Sequence, residues 1–310
     1  MATKRKFRFN DFGLGTKPTS KGYRALNKDG SFNIKKVKVP FFNRLNFFHE
    51  LVTLSWTKFF GFVFAGYLVI NFIFATLYYL IGIENLTGIR SSDPTEQFME
   101  AFFFSAQTIT TLGYGQVAPI GLAANIVAAT ESLLGLLSFA LATGLMYGRF
   151  SKPVSNITYS TKAVIAPYRD INGFMFRVYN AKRNQLLEVE AEVSLSIQRE
   201  NSHLRDFFSL ELERSRVVFF PSVWTVVHPI DENSPLYNLT EKELLDKDAE
   251  FIATIKAYDE SSLNTVHSRS SYKSHELSWG EKFVYLGRME NDKLLIDVSG
   301  IDNTEKADLN

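Results

Sequence analysis

The sequence predicts a membrane α + β chain: two membrane-crossing helices, a short re-entrant helix between them, and a β-sandwich after them. Three observations carry this reading. Residues 59–83 form an uncharged apolar run. A second apolar stretch, 121–148, holds one charge, Glu131. From about residue 160 apolar side chains recur at every second position, the period of a half-buried strand.

Taken in chain order, residues 1–40 are basic and rich in Lys, Gly, Ser and Asn, which predicts an extended or disordered cytoplasmic segment. They lack the apolar core and cleavage site of a signal peptide. Residues 41–54 place Phe41, Leu45, Phe48, Leu51 and Val52 near helical spacing, with Arg44 and His49 off that stripe. This is either an amphipathic slide helix at the membrane interface or an extension of the first span. The transmembrane domain is placed at 55–152. Its first span, 57–83, exceeds the roughly 20 residues needed to cross about 30 Å of hydrocarbon. Trp56, Tyr78 and Tyr79 suit interfacial aromatic belts. Residues 1–58 carry 13 Lys/Arg against 3 Asp/Glu, so the near end of this span is assigned to the cytoplasm. The second span, 121–149, returns the chain to that side, and both termini are expected there.

Residues 96–109 predict a short helix, and Asp93-Pro94-Thr95 suits its start. Non-helical backbone beyond it is tolerated at membrane depth only when buried in protein or lining water. That backbone reads Thr110-Thr111-Leu112-Gly113-Tyr114-Gly115. A row of main-chain carbonyls replaces the hydration shell of a potassium ion. Thr111, Leu112, Gly113 and Tyr114 are the candidate carbonyl donors, with the Thr111 hydroxyl as a lower ring. Gly113 and Gly115 permit positive φ at no Cβ cost. Taken alone, the hexapeptide reads equally as an ordinary Gly-Tyr-Gly turn.

Residues 153–310 predict the cytoplasmic β-sandwich. Leu187, Val189, Ala191, Val193, Leu195 and Ile197 alternate with Glu and Ser. Further strands are expected at 175–179, 216–220, 224–227, 251–258, 282–286 and 294–298, with one short helix at 240–247. The net charge of +1 gives no bulk electrostatic case for a nucleic-acid partner. There is no cysteine, hence no disulfide or thiolate metal site. The five histidines lack metal spacing, no Gly-rich phosphate loop is present, and no catalytic constellation emerges. No cofactor and no enzymatic activity are expected.

The order of parts resembles the inward-rectifier potassium channels, prokaryotic branch. The most specific matches are His49–Trp56, Thr111–Gly115, Gly148–Pro153 and Trp224–Asp231, and the resemblance covers roughly 40–300. It implies a homotetramer with one filter strand per subunit and an immunoglobulin-like cytoplasmic sandwich that extends the pore. It also implies regulation by anionic phospholipid or phosphoinositide, and for the prokaryotic branch a bacterial inner membrane. Two departures stand out. Eukaryotic members carry a disulfide beside the filter, and this chain has no cysteine. Phe139 occupies the position where strong rectifiers place an acid, which puts strong polyamine block at that site in doubt.

Phe139, Thr143 and Tyr147 follow i, i+4, i+8 and share one helix face. That face either lines the pore, with aromatic rings that close by dewetting, or packs against a neighbouring helix or lipid. Gly135 is a candidate bending point, and Gly144 a second one or a contact site. Glu131, costly in a membrane unless paired, is expected behind the 96–109 helix, either as a filter support with Gln107 and Thr110 as candidate partners or as a capped structural residue with no effect on conduction. Arg44, Arg149, Lys152 and Lys162 are candidates for an anionic lipid headgroup, or act only as orienting charge. The functional expectation is a potassium-selective channel. A weakly selective cation pore and a non-conducting membrane receptor with a β-sandwich binding domain are the alternatives.

Overall fold

The computed structural model describes residues 8–9, 13, 22–35, 37, 47–151, 155–182, 184–200, 202, 204–220 and 223–310. These form two compact units. One comprises Lys38–Lys152, the other Met1–Val37 with Pro153–Asn310.

In the first unit, α1 (Phe47–Thr53) is followed by α2 (Trp56–Ile81), α3 (Pro94–Ile109) and α4 (Gly121–Phe150). The first part of the expected slide helix, 41–46, lies outside the described residues. Helices α2 and α4 are long and apolar enough to cross a membrane, and most of their side chains are exposed in the single chain. Helix α3 begins two residues before the predicted start. Asp93 caps it, accepting from the Thr95 and Glu96 amides, and Pro94 fills the first turn, where no amide donor is needed.

The three helices meet along narrow stripes. In α3 Ala101, Ser105 and Ile109 are buried at a spacing of four; in α4 the buried residues are Ala124, Glu131 and Gly135. In α2 the stripe is Asn71, Phe74, Ala75 and Tyr78. Tyr78 is therefore not an interfacial belt residue as expected. It sits one turn inside the end of α2, edge-on to Phe104 at 5.1 Å, whereas Tyr79 points outward.

In the second unit two sheets enclose one apolar core. The strands are β1 (Arg8–Phe9), β2 (Ile157–Tyr159), β3 (Ala163–Tyr168), β4 (Ile171–Asn180), β5 (Leu186–Gln198), β6 (Arg205–Leu210), β7 (Arg216–Phe219), β8 (Val223–Ile230), β9 (Glu250–Asp259), β10 (Asn264–Lys273) and β11 (Leu277–Trp279). One sheet runs β1-β6-β5-β9-β10, with β7 also on β5. The other runs β8-β4-β3-β11, with β2 also on β4. All pairs are antiparallel except β11 on β3. Phe174 and Phe251 stack across the core at 4.3 Å. The predicted helix at 240–247 is α5 (Glu241–Asp246), closed by a Thr240/Glu243 capping box.

Three expectations are corrected here. Residues 22–35, expected to be extended or disordered, fold as a hairpin turn on the sandwich. Leu26 is buried, the Glu250 carboxylate accepts from the Ala25 and Leu26 amides, and Arg24 pairs with Glu276 at 2.9 Å. Composition alone misses this because the receiving acids lie more than 220 residues away. Second, Leu187 does not face the core. Glu188 adopts φ +49 and breaks the alternation, so Leu186 is buried instead. Third, the strand expected at 282–286 is confined to Glu281–Phe283, where its partner Thr304–Lys306 ends.

Candidate ion-conducting site

The C-terminal end of α3 sets the backbone that follows it. The Gln107 carbonyl accepts from the Leu112 amide at 2.9 Å and the Gly113 amide at 3.2 Å, and Thr108 accepts from the Thr111 amide at 3.0 Å. Three successive amides thus turn back onto the helix end. Thr111, Gly113 and Gly115 have φ of +59, +55 and +79, while Leu112 and Tyr114 are not in the positive-φ region. Alternation in the sign of φ aligns neighbouring carbonyls on one side instead of opposite sides. The glycines were expected to take this geometry. Thr111 was not, and a β-branched residue at positive φ is held there at a cost of about 1–3 kcal/mol. Leu112 and Tyr114 are largely exposed in the single chain, so the strand has open faces on both sides.

The far end of this strand is tied down by backbone. Leu86–Thr87 pairs with Ala118–Pro119, and the Ile120 amide donates to the Asn85 carbonyl at 2.7 Å. Gly88 makes the closest approach: a Cβ there would lie 1.8 Å from the Gln116 carbonyl oxygen. This ladder ties residues 85–88 to residues 116–120 in a chain that has no cysteine.

Glu131 is fully buried between the helices, but its partners are not those expected. Tyr78 Oη donates to Glu131 Oε2 at 2.7 Å, and the Ser105 hydroxyl contacts Oε1. Gln107 contributes its main-chain carbonyl instead, and the Thr110 hydroxyl donates to the Ala106 carbonyl at 2.7 Å. The helical period explains the difference. Ser105 lies on the buried Ala101–Ile109 stripe, and Gln107, two residues on, lies on another face. The polar residues Asn71 and Ser105 inside apolar helices were the available sequence signal for this cluster.

Phe139 and Tyr147 are about three-quarters exposed, and Thr143 is exposed with its hydroxyl donating to the Phe139 carbonyl at 2.9 Å. Phe139 borders a cleft of about 730 Å³ together with Thr110, Thr111 and Phe59; Thr143 and Tyr147 do not. Helix α4 is continuous through both glycines. Gly135 makes a close contact: a Cβ there would sit 2.0 Å from the Ile109 carbonyl oxygen. Gly144 has open space around it.

The basic residues expected to meet a headgroup are partly engaged elsewhere. Arg149 Nη1 and Nη2 donate to the Leu51 and Leu54 carbonyls at 2.5 and 2.6 Å, closing the end of α1, and its guanidinium lies 4.5 Å from the Trp56 and Phe59 rings. Lys162 donates to Glu281 at 2.7 Å and to Thr304 at 2.9 Å, and it holds the Glu281 carboxyl below the usual carboxylate range. Arg44 and Lys152 lie outside the described residues.

Comparison with known proteins matches both units. Residues 157–310 match the inward rectifier potassium channel C-terminal domain, and residues 66–152 match an ion-channel domain. The inward rectifier potassium channel Kirbac3.1 of Paramagnetospirillum magnetotacticum is 36% identical over 274 residues, covering 87% of this chain and 91% of its own length. Inward rectifier potassium channel 4 of Homo sapiens is 28% identical over 225 residues, covering 67% of this chain; the chain spans 49% of that protein's length. With this extent of similarity across both units, the chain belongs to the inward-rectifier potassium channel family.

Proposed function

We propose that four copies of this chain form a potassium-selective pore of inward-rectifier type. The observation that carries the reading is the alternating φ at Thr111, Gly113 and Gly115, with the Leu112 and Gly113 amides turned back onto Gln107. Gly113 and Gly115 have open space around them in the single chain, and four such strands around an axis surround a dehydrated ion. Potassium ions exchange water for the carbonyl oxygens of Thr111, Leu112, Gly113 and Tyr114, and move by repulsion between adjacent sites. The exposed Tyr114 and Leu112 side chains are then covered by neighbouring subunits. The protein transports ions and needs no resident cofactor.

The gate is placed at the inner part of α4, where Phe139, Thr143 and Tyr147 present one exposed face. Both termini are cytoplasmic, and motion of the sandwich acts on the gate together with lipid. An anionic phospholipid or phosphoinositide headgroup is assigned to Arg44 and Lys152, with Arg149 and Lys162 nearby in sequence and held by protein partners. The proposed location is a bacterial inner membrane.

Rubidium uptake into proteoliposomes tests the pore. Barium-sensitive uptake is expected, lowered or raised by phosphoinositide in the membrane. Uptake that ignores barium contradicts the filter assignment. A phosphoinositide response unchanged by K152Q with R44Q removes the lipid site.

A further inference from the structure

Four buried groups in the membrane unit are linked by contacts whose hydrogens can be counted. Tyr78 Oη meets Glu131 Oε2 at 2.7 Å, Glu131 Oε1 meets Ser105 Oγ, Ser105 Oγ meets Asn71 Oδ1 at 3.1 Å, and Asn71 Nδ2 meets the Tyr67 carbonyl at 2.7 Å. Asn71, Ser105 and Glu131 are fully buried. A carbonyl only accepts, so Asn71 must turn its amide nitrogen to Tyr67 and its oxygen to Ser105. That oxygen takes the single hydroxyl proton of Ser105. Tyr78 gives its own proton to Oε2. The contact between Ser105 and Glu131 then lacks a proton unless the carboxyl supplies it.

We infer that Glu131 is held as the neutral acid and donates from Oε1 to Ser105 Oγ. Protons then run in one direction, from Tyr78 through Glu131, Ser105 and Asn71 to the Tyr67 carbonyl. An ionised Glu131 would take both hydroxyl protons, leave two oxygen lone pairs facing each other at Asn71, and bury a charge contacted only by neutral hydroxyls. The chain joins α2, α3 and α4 through Ser105, five residues before Thr110. Glu131 is thus a positioning residue that fixes α3, and with it the strand beyond. Its effect on conduction rests on the pore reading above; its protonation does not.

Gln places a donor and an acceptor where the neutral acid has them, and Ala supplies neither. Rubidium uptake is expected to fall about tenfold or more in E131A, the cost of stranding buried partners, and to be restored in E131Q with barium block intact. Infrared spectra of the full-length protein in lipid at neutral pH supply the second readout. A carboxylic-acid carbonyl band that moves on ¹³C-glutamate labelling is expected in the parent protein. Exposed carboxylates do not contribute to it. Absence of that band overturns the inference, as does an E131Q protein that assembles like the parent but stays as inactive as E131A. Should E131Q fail to assemble, the labelled parent band alone decides. If the parent protein itself lacks barium-sensitive uptake, the pore reading fails while the band still reports the proton.

Discussion

The membrane unit and the sandwich satisfy their side chains in opposite ways. The sandwich closes around Phe174, Phe176 and Phe251, each at most 1% exposed, within one chain. The membrane unit buries only narrow stripes of α2, α3 and α4, and leaves Leu112, Tyr114, Phe139 and Tyr147 open. Its buried polar residues Tyr78, Glu131, Ser105 and Asn71 are linked to one another in a chain of contacts. One unit closes its core within a single chain, and the other leaves large apolar and aromatic side chains uncovered. Changes in the sandwich are therefore expected to act on folding stability, and changes in the membrane unit on conduction.

The sharpest way to break this contrast is Gly113→Ala. Gly113 has φ +55 and open space around it, so the methyl group meets no neighbour in the chain, and only its backbone is strained, by about 1–2 kcal/mol. Rubidium uptake should be abolished while the thermal midpoint of the chain falls by only about a few degrees. Phe251→Ala is the mirror case. It opens the core beside Phe174 and should cost about 3–5 kcal/mol of folding stability, read as a lower midpoint and lost yield. Gly135→Ala comes next. Its methyl group would meet the Ile109 carbonyl, and an overpacked contact of this kind costs about 1–3 kcal/mol. Uptake should drop, whereas Gly144→Ala, with open space around it, should leave helix packing unaffected.

The smallest effect concerns pH. His228 is buried, with Nδ1 on the Glu211 carbonyl at 2.6 Å and Nε2 on Ser234 at 2.8 Å, and burial pushes its pKa below the ordinary 6.5. Below that value the unfolded chain takes up a proton that the folded ring refuses. The sandwich should therefore lose stability as pH falls through and below 6.5, with no such loss above it. His228→Gln should flatten the decline in thermal midpoint measured from neutral pH down to about pH 5.5.

The two halves were also legible in the sequence to different degrees. The uncharged run at 59–83 and the turn-rich hexapeptide at 110–115 announced the spans and the strand between them, because membrane length and φ-permissive glycines are local constraints. The Thr111 backbone was not legible, since its conformation is imposed by amides returning to α3 and not by its own side chain. Glu131 stood out as a charge, yet its partners Tyr78 and Ser105 depend on which face of each helix meets the others. In the sandwich, alternation marked β5. It did not mark β3, whose first four residues are all buried, or the Ser-rich β10, which is held by a ten-residue ladder to β9. The docking of residues 22–35 joins parts of the chain too distant for any local pattern to show.

The proposed 111–115 filter strand selects potassium by replacing its water. The most direct test is the reversal potential of the reconstituted protein in a planar bilayer, with potassium on one side and sodium on the other. A reversal potential displaced strongly toward the potassium equilibrium value is predicted. A value near zero, meaning equal permeability to both ions, would contradict it.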